Sequence, residues 1–312
     1  MRVPCLLVRL VIPAALAAFP AAPRIAGQFA SSVDVVEVYA TVADRAGNPV
    51  RGLTAADFEV LEDGRLQDIQ TFSACDFPLS LALAIDHSAS MTGDRLRRAA
   101  GAARRFLGRL RPEDEVMLIG VSGAVTVLAP LSRDRAAQHR ALDALTPWST
   151  TSLYDALIAG IGLIQPAPGR RALIVLSDGE DRYSEATPAA VLDRARRSDV
   201  LVYPIAIDGP APAVFAEIAS VTGGRSFALK SPKALDEALS SVATDLREQY
   251  LLGYAPAPAE GSAADGGWHS IDVRVPGRDV RIRARDGYYG GRKGGIRDSG
   301  LGVRGSGRTV SQ

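Results

Sequence analysis

Cysteine is almost absent from this chain of 312 residues: Cys5 and Cys75 are the two. Cys5 lies ahead of an N-terminal apolar stretch that reads as a removable leader. Cys75 is then alone, and an internal disulfide is excluded even in an oxidising compartment. Histidine is as scarce, with His87, His139 and His269 scattered along the chain. A hydrolase would need a positioned base and a nucleophile, and neither a nucleophile elbow nor a phosphate-cradling glycine loop is present; Gly223-Gly224 alone is weak. Lysine is confined to Lys230, Lys233 and Lys293, so nearly every cation is Arg. With Lys+Arg 36 against Asp+Glu 35 the net charge is +1, which excludes the basic footprint of a nucleic-acid binder. Beyond the leader no apolar run is long enough to span a bilayer, so no integral membrane segment is expected after its removal.

The leader is residues 1–30. Arg2 and Arg9 precede the apolar run Leu10 to Phe19, and small residues follow at Ala21-Ala22 and Ile25-Ala26-Gly27. That three-part pattern predicts an export signal, hence a periplasmic or secreted protein.

Residues 31–77 read as a small β unit. Val33 to Ala43 is a Val-rich alternating strand, Asp44 to Pro49 a turn, and Leu53 to Ile69 a second hairpin turning at Asp63-Gly64. From Leu79 strands alternate with helices, the pattern of a mostly parallel sheet covered on both faces. Leu81 to Asp86, Glu115 to Val121, Arg171 to Ser177 and Val200 to Ile207 are its buried strands, with Ala124 to Leu128 returning as a hairpin. Leu96, Ala99, Ala100, Ala103, Phe106, Leu107 and Leu110 form one helical stripe. A last helix runs from Pro232 to about Leu246. After Gln249 β character returns in residues 248–289, and a Gly, Arg and Ser-rich tail, 290–312, is expected to be disordered. The predicted architecture is an α/β, doubly wound domain of residues 78–247, inserted in a small β-sandwich built from both chain ends.

The chemistry sits where buried strands end. Asp86-x-Ser88-x-Ser90 closes one strand, Asp178-Gly179 closes another, and Thr151 opens a helix. Ligands of open α/β sheets bind outside the carboxyl ends of the strands, where these loops converge. Two carboxylates and three hydroxyls suit a small hard cation, Mg2+ before Mn2+ or Ca2+. Each group also has a simpler reading. Ser88 or Ser90 can cap the next helix, Thr151 can be an N-cap before Leu153, and Asp178-Gly179 can be a turn. Ser149 and Thr150 stand close enough to Thr151 for the ligand to be displaced by one position. His87, beside the first loop, either packs on it or modulates the site with pH.

Asp86-x-Ser88-x-Ser90, Thr151-Ser-Leu-Tyr-Asp-Ala156 and Leu176-Ser-Asp178-Gly179 resemble the von Willebrand factor type A domain and its metal-ion-dependent adhesion site, over roughly Leu79 to Leu246. The resemblance implies that Ser88, Ser90 and Thr151 ligate the metal directly or through water, and that Asp86 and Asp178 act largely through water. It also implies a protein partner that offers an acidic side chain to the cation. The flanks DRAGNPVRGLTAADFEVLEDGRLQDIQTFS and YLLGYAP to RARDGYYG are similar to a group of exported bacterial proteins built around this domain. The expected function is therefore non-enzymatic, metal-dependent protein binding or adhesion. Its rivals are a structural domain with a vestigial site and, further off, a metal-assisted hydrolase. Tyr250, Tyr254, Tyr288 and Tyr289 are expected to pack rather than bind sugar. The stripes Arg95-Arg97-Arg98 and Arg194-Arg196-Arg197 read as solvated helix faces.

Overall fold

The structure is a computed structural model that describes residues 35–74, 77–256 and 266–291. The leader, Cys75, most of the 255–267 loop and all but the first two residues of the tail lie outside the described residues.

In chain order, β1 (Val36–Ala43) is followed by a 3-10 turn at Ala55–Asp57, β2 (Glu59–Glu62), β3 (Arg65–Gln67) and β4 (Ile69–Ala74). Then come β5 (Leu79–Asp86), α1 (Asp94–Leu107), β6 (Glu115–Val121), β7 (Val125–Ser132), α2 (Arg135–Asp143), α3 (Leu153–Ile164) and β8 (Arg170–Ser177). The α/β part ends with α4 (Pro188–Arg196), β9 (Leu201–Ile207), α5 (Ala213–Thr222), β10 (Phe227–Leu229) and α6 (Pro232–Arg247). Four strands close the chain: β11 (Gln249–Tyr254), β12 (Trp268–Arg274), β13 (Arg281–Arg283) and β14 (Gly287–Tyr289).

The central six-stranded sheet has the order β10-β9-β8-β5-β6-β7, and only β7 runs antiparallel to its neighbour. Its middle strand, β5, is buried at every position. The period of two divides that strand between two cores. Leu79, Leu81, Leu83 and Ile85 enter the core shared with α1 and α6, while Ala82 and Ala84 enter the one under α3, α4 and α5. Each buried Leu or Ile there stabilises the fold by about 1.5–3 kcal/mol. In α1 the buried stripe is Leu96, Ala99, Ala102, Ala103, Phe106 and Leu107. Ala102, not Ala100, completes it, buried in the core that α1 shares with α6.

The chain ends do build a sandwich around a third core. One sheet has the order β13-β1-β11-β4 and the other β14-β12-β2-β3. Val38, Ala40 and Val42 of β1 meet Val60, Leu252, Ile271 and Val273 from both sheets. The α/β domain therefore enters after β4 and leaves into β11, which pairs with both β4 and β1. The expected hairpin at Asp63-Gly64 forms between β2 and β3, whereas Ala55–Asp57, ahead of β2, is a 3-10 turn whose Asp57 carboxylate accepts from Thr54 N–H at 2.8 Å. A carboxylate clasp ties the two sheets, since the Tyr254 and Tyr288 hydroxyls both donate to Glu62 Oε2, at 2.6 and 2.9 Å.

Candidate metal centre

β5 and β8 are adjacent and parallel, so Asp86 and Asp178 leave the sheet at the same edge. Asp86 is 0% exposed, and Ser88, Thr151, Ser177 and Asp178 are buried with it. Ser88 N–H donates to Asp86 Oδ1 at 2.9 Å, and the Ser88 and Ser90 hydroxyls are 3.0 Å apart. The loop carrying Thr151 is stitched to them through the backbone. Trp148 N–H donates to His87 O at 2.7 Å, Ala89 N–H to Ser149 O at 2.9 Å, and Arg182 N–H to Thr151 O at 3.1 Å. Three loops from distant parts of the chain thus form one hydrogen-bonded cluster at the carboxyl edge of the sheet. Asp86, Ser88, Ser90, Thr151 and Asp178 all belong to it.

The capping alternatives do not describe these side chains. Ser88 precedes a 3-10 turn but makes no side-chain cap bond, and Gly93 is the N-cap of α1. Ser152, not Thr151, is the N-cap of α3. The first N–H groups of α3 are met from elsewhere: Asp181 Oδ1 accepts from Leu153 at 2.8 Å and Ser184 Oγ from Tyr154 at 2.9 Å. Asp178 does support its own turn, since its Oδ1 accepts from Glu180 N–H at 3.2 Å. His87 packs on the loop, with Nδ1 2.8 Å from Thr146 O.

The sequence reading missed several participants. The Ser177 hydroxyl donates to Asp86 Oδ2 at 2.7 Å and accepts from Gly179 N–H at 3.0 Å. Arg95 and Arg98 do not lie on a solvated face. Arg95 Nη1 is 3.7 Å from Asp178 Oδ2, and Arg98 pairs with Asp208, in the loop after β9. Arg196 and Arg197 are likewise engaged, over the rings of Trp268 and Tyr289. Ser149 and Asp208 are non-glycine residues with positive φ, 60° and 56°, so the site is flanked by strained backbone. A Cβ at Gly209 would collide with the Asp178 carbonyl oxygen, which is why glycine stands where that loop crosses the site.

The electrostatics are those of an under-compensated acid pair. Burial pushes the Asp86 carboxyl above the ordinary carboxylate range; hydrogen bonds from Ser88 and Ser177 pull it back, and the neighbouring Asp178 charge raises it further. All donors to Asp86 are neutral groups, among the described residues. Two carboxylates, hydroxyl oxygens and no soft ligand fit a hard divalent cation.

A second acidic group, Glu62, Asp63 and His269, has potential ligand atoms within 4.8 Å of one another in the sandwich. Its atoms are engaged. Glu62 holds the two tyrosines of the clasp, and Asp63 faces His269 Nδ1 at 2.8 Å while accepting from Ser270 N–H and Oγ. This cluster reads as a fastening between strands.

Fold and loops together define a doubly wound α/β domain with a cluster of carboxylate and hydroxyl groups at its sheet edge. The family profile described as von Willebrand factor type A domain matches residues 80–241, and the chain belongs to that family. Domains of this family generally serve as non-enzymatic adhesion or interaction modules and typically bind a divalent cation. The chain is 28% identical over 229 residues to UPF0353 proteins from two strains of Mycobacterium leprae, which is 62% of this chain and 65% of theirs. It therefore spans about two thirds of the length of those curated relatives. Among solved structures it is similar to a von Willebrand factor type A protein from Catenulispora acidiphila, at 18% identity and a TM-score of 0.48 over 68% of this chain and 50% of that one. It is also similar to an aerotolerance-related membrane protein from Bacteroides fragilis, at 19% identity and a TM-score of 0.46 over 54% and 98%. Among the described residues no helix is long and apolar enough to cross a membrane.

Proposed function

We propose that this protein is an exported, metal-dependent binding module that captures a protein partner through an acidic side chain. Asp86, Ser88, Ser90, Thr151 and Asp178 would hold the cation, Mg2+ by the hardness of the donors, with Mn2+ or Ca2+ as substitutes. The bound ion would supply an open coordination position for a carboxylate oxygen. The observation that carries this reading is Asp86: a fully buried carboxylate met only by neutral donors, beside a second carboxylate, is stable when a cation completes it.

Residues 78–247 would be the binding module, the sandwich of 31–77 and 248–289 its support, and 1–30 the leader. The rim offers the residue types that anchor protein interfaces. Trp148 is 71% exposed and Tyr183 64%, one on the loop before Thr151 and the other on the loop after Asp178. Tyr183 N–H donates to Thr151 O at 3.2 Å, so an anchor there is held at the site.

The test is binding of the metal-loaded protein to immobilised peptides carrying a central Asp, against the same peptides with Asn, in Mg2+ and in chelator. Retention that needs both Asp and Mg2+, and that Thr151→Ala abolishes, supports the proposal. Equal retention in chelator would sink it.

A further inference from the structure

Arg95 lies within 4 Å of the Asp178 carboxylate, and its position is unlike that of a surface arginine. It stands in the first turn of α1, directly after the loop that carries Ser88 and Ser90. Its side chain is 37% exposed while that of Asp178 is 4% exposed. Nη1 donates to Ser90 O at 3.1 Å and lies 3.7 Å from Asp178 Oδ2. The other side of the guanidinium turns to the loop after β9: Nη2 is 3.5 Å from Asp208 O, and Nε is 4.0 Å from Asp208 Oδ2. One guanidinium therefore spans two acids, one inside the cluster and one outside it. Asp208 also pairs with Arg98, which holds its carboxylate in place beside Arg95.

We propose that Arg95 is a built-in counter-ion that competes with the metal for Asp178 and so sets the cation affinity of the site, with Asp208 as its alternative seat. The proposal rests on the reading of this cluster as a cation site. Without metal, Arg95 supplies the positive charge that Asp178 lacks. A divalent ion brings a like charge within a few ångströms of the guanidinium, in a partly buried setting where screening is incomplete. With the site occupied, the Arg95 guanidinium would keep its contacts to Asp208 and give up Asp178, and that cost would be drawn from the binding free energy. The chain thereby has a metal threshold tuned by a residue that is not a ligand. Affinity is lowered by Arg95 and raised by Asp208, whose charge draws the guanidinium away.

A residue that only braced the Ser90 loop would have the opposite sign, since removing a brace loosens the ligands. The experiment is calorimetric titration of Mn2+ and Mg2+ into the full chain, comparing wild type with Arg95→Met, Arg95→Gln and Asp208→Asn. Met and Gln keep the aliphatic stem, and Asn tolerates the left-handed backbone at residue 208. Thermal melts establish that each variant is folded. Arg95→Met and Arg95→Gln are expected to bind metal roughly tenfold more tightly, and Asp208→Asn several-fold more weakly. Binding by Arg95→Met where wild type binds too weakly to detect also supports the proposal. Wild-type binding that Arg95→Met and Arg95→Gln leave unchanged or weaken overturns the role of Arg95 and leaves the cation site standing. No binding by any of the four proteins overturns both.

Discussion

Replacing Asp86 by Asn is expected to stabilise the metal-free protein while abolishing cation binding. Asn keeps an acceptor for Ser88 N–H, and its amide faces Ser177 Oγ, which can accept in place of donating. Those two bonds are kept with the charge removed, and the Ser177 hydroxyl gives up its donated bond to accept the amide N–H. Keeping an ionised carboxylate in the interior costs several kcal/mol, taken here as about 4. Two bonds to a charged acceptor lose about 1 kcal/mol each on becoming neutral, about 2 together. The net gain is about 2 kcal/mol in favour of Asn at neutral pH. Because burial raises the Asp86 carboxyl in the folded state, its contribution to stability is complete below the unfolded value and is lost as pH rises through the folded one. The advantage of Asn should therefore vanish near pH 4 and grow toward neutrality. Urea denaturation in chelator, repeated across that range, measures it. An Asn variant less stable than wild type at neutral pH in chelator would refute the reasoning, because Asp86 would then be compensated without a metal.

Three other perturbations probe the support of the site and of the fold. Asp181→Ala removes the carboxylate that accepts from Leu153 and Tyr154 N–H, so thermal unfolding should show a loss of about 1 kcal/mol and titration a weaker cation affinity. Gly209→Ala forces a Cβ onto the Asp178 carbonyl, and a destabilisation of about 1–3 kcal/mol in urea is expected, with unchanged stability contradicting the close crossing. Arg170, 1% exposed between the two parts of the fold, donates to Gln249 Oε1 at 3.1 Å, and burial pushes its guanidinium down to about 10. Its guanidinium also lies 6.0 Å from the Tyr39 ring and 5.8 Å from the Phe77 ring. Arg170→Ala should cost about 3 kcal/mol and Arg170→Met about 1 or less, because packing and not charge is what the site uses. Equal losses in the two variants would contradict that.

The architecture was legible because its strands are short apolar runs whose burial is nearly complete, as at Leu79 to Asp86. The grouping of the first loop was legible because alternate residues past a strand end share a side, and Ser88 N–H meets Asp86 Oδ1 while the Ser88 and Ser90 hydroxyls meet each other. What escaped depends on partners far along the chain. Asp181 caps a helix that begins 28 residues earlier, so Thr151 looked like the cap. Arg95 shares its spacing with solvated arginines, and only the meeting of α1 with the ends of β8 and β9 gives it Asp178 and Asp208. β14 escaped because three residues, Gly287–Tyr289, carry no period of their own; pairing with β12 makes them a strand.

The central claim is that Asp86, Ser88, Ser90, Thr151 and Asp178 together hold one divalent cation. Calorimetric titration of the full chain with Mg2+ and Mn2+, beside Asp86→Ala and Thr151→Ala, tests it most directly. The account predicts saturable binding of one ion per chain, lost in both variants while their circular dichroism is unchanged. Saturable binding that survives in both variants, or no binding at millimolar metal by either the wild-type chain or Arg95→Met, would contradict it.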